Sequence, residues 1–195
     1  PNYKDFLTVE ELDDASLRLA SEHADVEFKR IGESTEGRPI SYLKIGEGEK
    51  SALLFAFPHP NEPIGSMTIE FLSNYLTENK DVRDKLGYTW YFVKAVDPDG
   101  AALNEGWFKG DFSPLKYARN YYRPPSHEQI EWTFPVDYKN LHFHDSPSET
   151  IALMSLIDEV KPDFMFSLHN AGFCGVYYYI SHSLEDLYEK FIRLV

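Results

Sequence analysis

The chain predicts an α/β domain with a mixed, largely parallel central sheet flanked by helices, and three observations carry that reading. First, stripes of apolar residues at helical spacing alternate with short runs rich in aromatic and β-branched residues. Second, residues 51–57 (SALLFAF) form a nearly unbroken apolar run, as expected of a strand covered on both faces. Third, residues 28–34 and 40–45 flank Glu36-Gly37-Arg38-Pro39, a turn signal, so this pair reads as an antiparallel hairpin and makes the sheet mixed.

The elements follow in order. Thr8 and Glu11 form a capping box that opens a helix over about 9–23, with Leu12, Ala15, Leu19 and Ala20 on one face. The hairpin and the 51–57 strand come next. Pro63 suits the first position of a helix over about 63–79, striped by Ile64, Met67, Phe71, Leu72, Tyr75 and Leu76. Residues 89–96 read as a second buried strand. The stretch 97–145 has aromatics, several prolines and no clear period, and long loops of this kind are usually functional or mobile. A third helix opens at Ser146-Pro147-Ser148-Glu149, read as a cap, a proline at the first position and a glutamate, followed by Leu153, Met154, Ile157 and Val160. Strands are expected over 164–168 and 175–180. A last helix opens at Ser183 and carries Leu187, Tyr188, Phe191 and Leu194. It runs to Val195 without a stop signal, so residues 1–195 read as one domain cut short at its C-terminus, the N-terminal part of a longer catalytic domain.

Composition removes whole classes of function. With 43% hydrophobic residues and 15% aromatics, the chain can fill a core and is not disordered. No run approaches the roughly 18 apolar residues of a membrane span. Nineteen Lys and Arg against 32 Asp and Glu leave a formal charge of −13, which repels nucleic acid and anionic membranes. The single cysteine and the lack of a visible signal peptide favour the cytoplasm, although a chain opening at Pro1 has been trimmed or processed. Composition leaves the oligomeric state open.

The chemistry concentrates where the 51–57 strand ends. Phe57-Pro58-His59-Pro60-Asn61-Glu62-Pro63 leads from that strand into a helix, and strand C-termini are where α/β sheets build sites. An imidazole and a carboxylate three residues apart can reach one small cation. Catalytic zinc takes three such ligands and leaves one position open. His169, at the end of the 164–168 strand, is the best third ligand, because neighbouring parallel strands would bring the two ends together. His142-Phe143-His144 is the rival pair, read as surface or substrate-pocket histidines for want of a carboxylate at fixed spacing. His23, His127 and His182 read as solvated or capping residues, and Cys174 as a small buried hydrophobe.

Four segments in order resemble the zinc carboxypeptidases of the M14, carboxypeptidase A-like class. Residues 31–40 (IGESTEGRPI) resemble the family's Gly-x-Ser-x-Glu-Gly-Arg-Pro hairpin. His59–Glu62 matches its His-x-x-Glu zinc motif. Asp97-Pro98-Asp99-Gly100 is similar to its Asn-Pro-Asp-Gly turn, and Ser146–Thr150 with His169 to its later helix start and final zinc histidine. The likeness spans about residues 25–181. It implies one Zn²⁺ on His59, Glu62 and His169, which activates a water against an amide carbonyl. It also implies an arginine that steadies the developing oxyanion; Arg119 and Arg123 fall in the matching stretch, and Arg123 is favoured.

Two departures limit what the resemblance implies. The family grips a terminal carboxylate through Val-Asp-x-Asn-Arg, where this chain reads Val136-Asp137-Tyr138-Lys139-Asn140-Leu141. Lys139 and Asn140 are the substrate-binding candidates there, but lysine is a poor substitute for a planar guanidinium. The family's general-base glutamate lies well beyond the third zinc ligand; Glu185 and Glu189 read as the solvated face of the last helix, so the base is expected beyond residue 195. The leading reading is a carboxypeptidase-like metallopeptidase. The alternatives are a deacylase of N-acyl amino acids, resembling succinylglutamate desuccinylases and aspartoacylases, and an inactive binding module on the same fold.

Overall fold

A computed structural model describes residues 3–170 and 175–193. Helix α1 (Val9–Glu22) begins as the capping box requires: the Thr8 hydroxyl accepts from Glu11 N, and Thr8 N donates to the Glu11 carboxylate. Strands β1 (Val26–Glu33) and β2 (Pro39–Ile45) pair antiparallel across a turn in which Gly37 takes φ +86°, a left-handed conformation that glycine adopts freely. Strand β3 (Lys50–Phe55), helices α2 (Ile64–Glu78) and α3 (Lys80–Leu86), and strand β4 (Tyr88–Val93) follow.

The stretch expected to be one long loop is partly ordered. It holds α4 (Pro98–Asn104), α5 (Pro114–Asn120), three short 3-10 turns, and a small hairpin of β5 (Val136–Tyr138) and β6 (Leu141–Phe143). Helix α6 (Ser148–Val160), strand β7 (Phe164–Ser167) and helix α7 (Glu185–Arg193) complete the described residues.

The main sheet runs β1-β2-β4-β3-β7; β1, β2 and β4 pair antiparallel, while β4, β3 and β7 are parallel. Strand β3 explains its own sequence. Ala52, Leu54 and Ala56 pack with Leu19, Ile69 and Leu76 from α1 and α2. Leu53 and Phe55 point the other way, against Leu153 and Leu156 of α6. Both faces are covered, so no polar alternation is tolerated.

Three expectations need correction. Residues 175–180 are irregular rather than a strand, and Tyr179 is almost fully exposed. Their β-favouring composition goes unused because, among the described residues, no strand lies alongside to pair with them. Ser146 does not cap α6. The helix starts at Ser148, the Ser146 hydroxyl donates to Thr133 O, and the Glu149 carboxylate accepts from Thr35 N and Oγ1. Distant partners outcompete the local cap. Helix α3, missed by periodicity, is short and charged; Val82 and Leu86 stay exposed, and Arg83 anchors it by donating to Asp25 at 2.7 Å. Cys174 and Leu194 lie outside the described residues.

The hairpin turn is locked to its surroundings by its own polar residues. Asp99 accepts from Ser34 Oγ at 2.7 Å, from Glu36 N at 2.8 Å and from Arg38 Nη1 at 2.6 Å. The Ser-x-Glu-Gly-Arg segment and the Asp-Pro-Asp-Gly turn are thus two halves of one contact. Asp97 caps α4 by accepting from Gly100 N, and it sits nearly buried at a cleft of about 520 Å³ whose walls contain none of His59, Glu62 and His169.

Burial pushes the Asp97 carboxyl up from 3.8 to about 7, against the Gly100 hydrogen bond and with help from Glu149 and Asp99. Between roughly pH 4 and 7 the folded chain therefore keeps a proton that the unfolded chain has lost, and this group's contribution to stability declines as pH rises through that window. A displacement of that size corresponds to about 4 kcal/mol at most. Asp97→Asn keeps an oxygen for the cap and removes the charge. Calorimetry is expected to show the variant more stable than wild type at pH 8 and level with it at pH 4; an unchanged difference between the two pH values would contradict this.

Candidate metal centre

Phe57 is fully buried and holds φ +55°, an uncommon conformation for a bulky residue. It turns the chain at the end of β3 so that Pro58–Pro63 lie across the sheet's C-terminal rim. Glu62 N donates to His59 O at 3.1 Å, which closes the turn and puts both side chains on one side. The opposite wall comes from β7, whose Ser167 is paired with Phe55 in the parallel register. His169 lies two residues beyond Ser167, as His59 lies four beyond Phe55, so both imidazoles leave the same rim.

They meet. His59 Nδ1 is 3.1 Å from Glu62 Oε1, His169 Nδ1 is 2.9 Å from Glu62 Oε2, and the two Nδ1 atoms are 3.1 Å apart. Asn170 holds the group together: its N donates to Glu62 Oε2 at 3.2 Å, and its Oδ1 accepts from Ile64 N at the start of α2. Arg123 Nη1 donates to Glu62 Oε1 at 3.1 Å, whereas Arg119 is exposed on α5. Lys139 and Asn140 occupy the exposed turn of the β5–β6 hairpin, where the Lys139 ammonium lies over the Tyr138 ring. His142 and His144 do have a carboxylate partner, contrary to expectation: Asp137, across the hairpin, contacts both at 2.7 and 3.1 Å.

Charge is tightly balanced. Burial works against the ionised form of Glu62, yet hydrogen bonds from His169 and His59 outweigh it and hold the carboxyl down at about 2. Burial likewise opposes the His169 imidazolium, and hydrogen bonds to Glu131 and Glu62 hold it up to about 9. Glu131 was not singled out in the sequence, yet its carboxylate lies 3.1 Å from His169 Nε2 and accepts from Ser167 Oγ. No local pattern marks it; it sits in a 3-10 turn inside the aperiodic stretch.

Two imidazole nitrogens and one carboxylate make a donor set suited to zinc. Ligands at about 2.0–2.2 Å in a tetrahedron stand roughly 3.3–3.6 Å from one another. The observed 2.9–3.1 Å is a few tenths short of that, so the three groups need only small movements to hold an ion. Among the described residues, His59 Nε2 is buried without a hydrogen-bond partner.

A sequence profile of the zinc carboxypeptidases, peptidase M14, matches residues 16–190. The chain belongs to the zinc carboxypeptidase family. That family is zinc-dependent. Glu131, with His59 and His169, also lies close enough to contribute to a metal ion's ligands. The zinc carboxypeptidase fold recurs in solved structures. A metallo-carboxypeptidase from Burkholderia cenocepacia superposes with TM-score 0.62 at 21% identity, covering 85% of this chain and 41% of that one. The carboxypeptidase A of Helicoverpa armigera superposes with TM-score 0.65 at 18% identity, covering 86% and 46%. An uncharacterized protein of Zymomonas mobilis is 24% identical over 177 residues, which is 84% of this chain and 40% of that protein. The chain thus spans about two fifths of the curated relative it matches. Among the described residues, no helix is long and apolar enough to cross a membrane.

Proposed function

We propose that this chain forms the metal-binding part of a zinc metallopeptidase that hydrolyses an amide bond near the end of a peptide or in a small amide. The convergence of His59, Glu62 and His169 within 2.9–3.1 Å, at the rim of a family-typical sheet, is the observation that supports the reading. These three residues would hold one zinc ion. Bound there, zinc supplies a water of lowered pKa and polarises the scissile carbonyl.

The remaining work falls to the chain. Hydrogen bonds from His169 and His59 hold Glu62 ionised, so its negative charge is available to a cation. Arg123 stands at the same carboxylate with its guanidinium partly exposed, and it supplies a fixed positive charge for the oxyanion that develops on the substrate. Arg119, Lys139 and Asn140, all exposed, are assigned to parts of the substrate away from the scissile bond.

The test compares hydrolysis of blocked peptides with hydrolysis of N-acyl amino acids by the full-length natural protein, before and after chelation and zinc repletion. Peptide cleavage that is lost with chelator and restored by zinc is expected. Cleavage confined to N-acyl amino acids would make the protein a deacylase. Zinc binding without hydrolysis of either would make it a binding module.

A further inference from the structure

The imidazole of His169 has two nitrogens, and each faces a different carboxylate. Nδ1 points to Glu62 and to His59 Nδ1. Nε2 points to Glu131, 3.2 Å from Oε1 and 3.1 Å from Oε2, and stands 3.1 Å from Ser167 Oγ. An ionised carboxylate only accepts, so Nε2 must carry the proton in this contact. Nδ1 faces the Glu62 carboxylate in the same way, so a cation placed beside His59 and Glu62 would take the Nδ1 position and leave the Nε2–H contact to Glu131 in place.

We propose that Glu131 is a positioning residue of the metal centre: by accepting from His169 Nε2–H it fixes the tautomer and rotation of the ring and keeps Nδ1 aimed at His59 and Glu62. The inference rests on reading His59, Glu62 and His169 as the metal ligands. A carboxylate acting on a ligand through its far nitrogen raises the ligand's basicity and removes its freedom to rotate.

Glu131 is built to hold still. Ile130, the preceding residue, is buried in the core with Leu153 and Leu156. Thr133 Oγ1 lies 2.7 Å from Thr150 Oγ1 of α6. Gln129 Nε2 donates to Pro124 O. Ser167 Oγ donates to Glu131 Oε1, and Ser167 is itself two residues before His169 on the same chain exit. The turn, the strand and the imidazole are therefore joined through one carboxylate.

The rival arrangement makes Glu131 a ligand itself, with His59 and His169. On the Nδ1 side all three groups are in mutual contact at 2.9–3.1 Å, whereas Glu131 Oε2 and His59 Nε2 are 4.0 Å apart. Glu62 is also the more deeply buried of the two carboxylates, at 9% side-chain exposure against 22%.

Zinc affinity of the full-length protein, measured against a competing chromophoric chelator, tests the proposal. Glu131→Ala is expected to weaken zinc binding about 10–100-fold. Glu131→Gln, which keeps an acceptor oxygen without the charge, should lose less. The visible absorption of the cobalt(II)-substituted protein should change in both variants, while the melting temperature of the metal-free protein changes little. Wild-type affinity in Glu131→Ala would overturn the proposal. So would loss of affinity matched by an equal loss of metal-free stability, or activity lost at unchanged zinc affinity. If Glu131 variants lose the metal while Glu62→Gln keeps it, Glu131 is a ligand and the positioning role falls. If the wild type takes up no zinc, the metal reading itself fails and this inference with it.

Discussion

His169→Ala is expected to bring the zinc content of the full-length protein from one ion per chain to nearly none, and hydrolysis with it. The reason is arithmetic as much as chemistry. A catalytic zinc has three protein ligands, and removing one leaves a two-ligand site. The loss should exceed the ~10–100-fold that follows from removing a supporting group. It should also exceed the ~10²–10³-fold activity cost of losing one oxyanion donor such as Arg123 is assigned to be. His59→Ala should behave alike, since its Nδ1 stands in the same three-way contact. Metal analysis of dialysed protein reads the result directly. Equal zinc in wild type and both variants would sink the assignment. The removal is also expected to leave the fold intact: His59 and His169 sit at the rim, beyond the last paired residues of β3 and β7.

The second large effect is expected at Gly65, which makes no polar contact with the site. A Cβ at this position would lie 2.8 Å from Leu168 Cβ, 3.0 Å from Leu168 O and 3.1 Å from Ala56 Cβ. The first turn of α2 therefore touches the chain leaving β7 with no room for a methyl group. An alanine in a helix gains up to about 1 kcal/mol over glycine in intrinsic preference. Overpacking of this kind costs about 1–3 kcal/mol, and one of the obstructing atoms is backbone. The cost wins, and Gly65→Val, larger and β-branched, should lie at or beyond the upper end. The same displacement would separate Glu62, just before α2, from His169, just after Leu168. Gly65→Val should therefore lower both the melting temperature and the zinc affinity, with Gly65→Ala milder in each. Unchanged zinc affinity in a folded Gly65→Val protein would show that the approach of α2 to β7 does not set the metal site.

The parts of this protein legible in its sequence are those where a local rule has no strong competitor. The α1 cap was readable because Thr8 and Glu11 satisfy each other within one turn. The β3 strand was readable because both of its faces are buried, which leaves a run no helix or loop would carry. His59 and Glu62 are legible as a candidate pair, since the turn that joins them is local. The β-rich run at 175–180 shows the limit: composition favours a strand, but a strand is a relation between two segments, and among the described residues no partner is present.

Glu131 lies on the far side of that limit. Its neighbours carry no periodic pattern, and its role follows only from α6 fixing Ile130 and Thr133 while β7 delivers Ser167 and His169. Arg123 differs from Arg119 for the same reason: four residues apart in one basic stretch, one reaches Glu62 and the other faces solvent. By itself, the order of residues determined the sheet's class, the helix that follows β3 and the pairing of His59 with Glu62 as candidate ligands, because hydrophobic period, capping and short-range spacing act over a few residues. Which nitrogen faces which carboxylate was decided only when parallel β3 and β7 came into register, because hydrogen-bond direction depends on ångström-scale placement of groups that lie far apart along the chain.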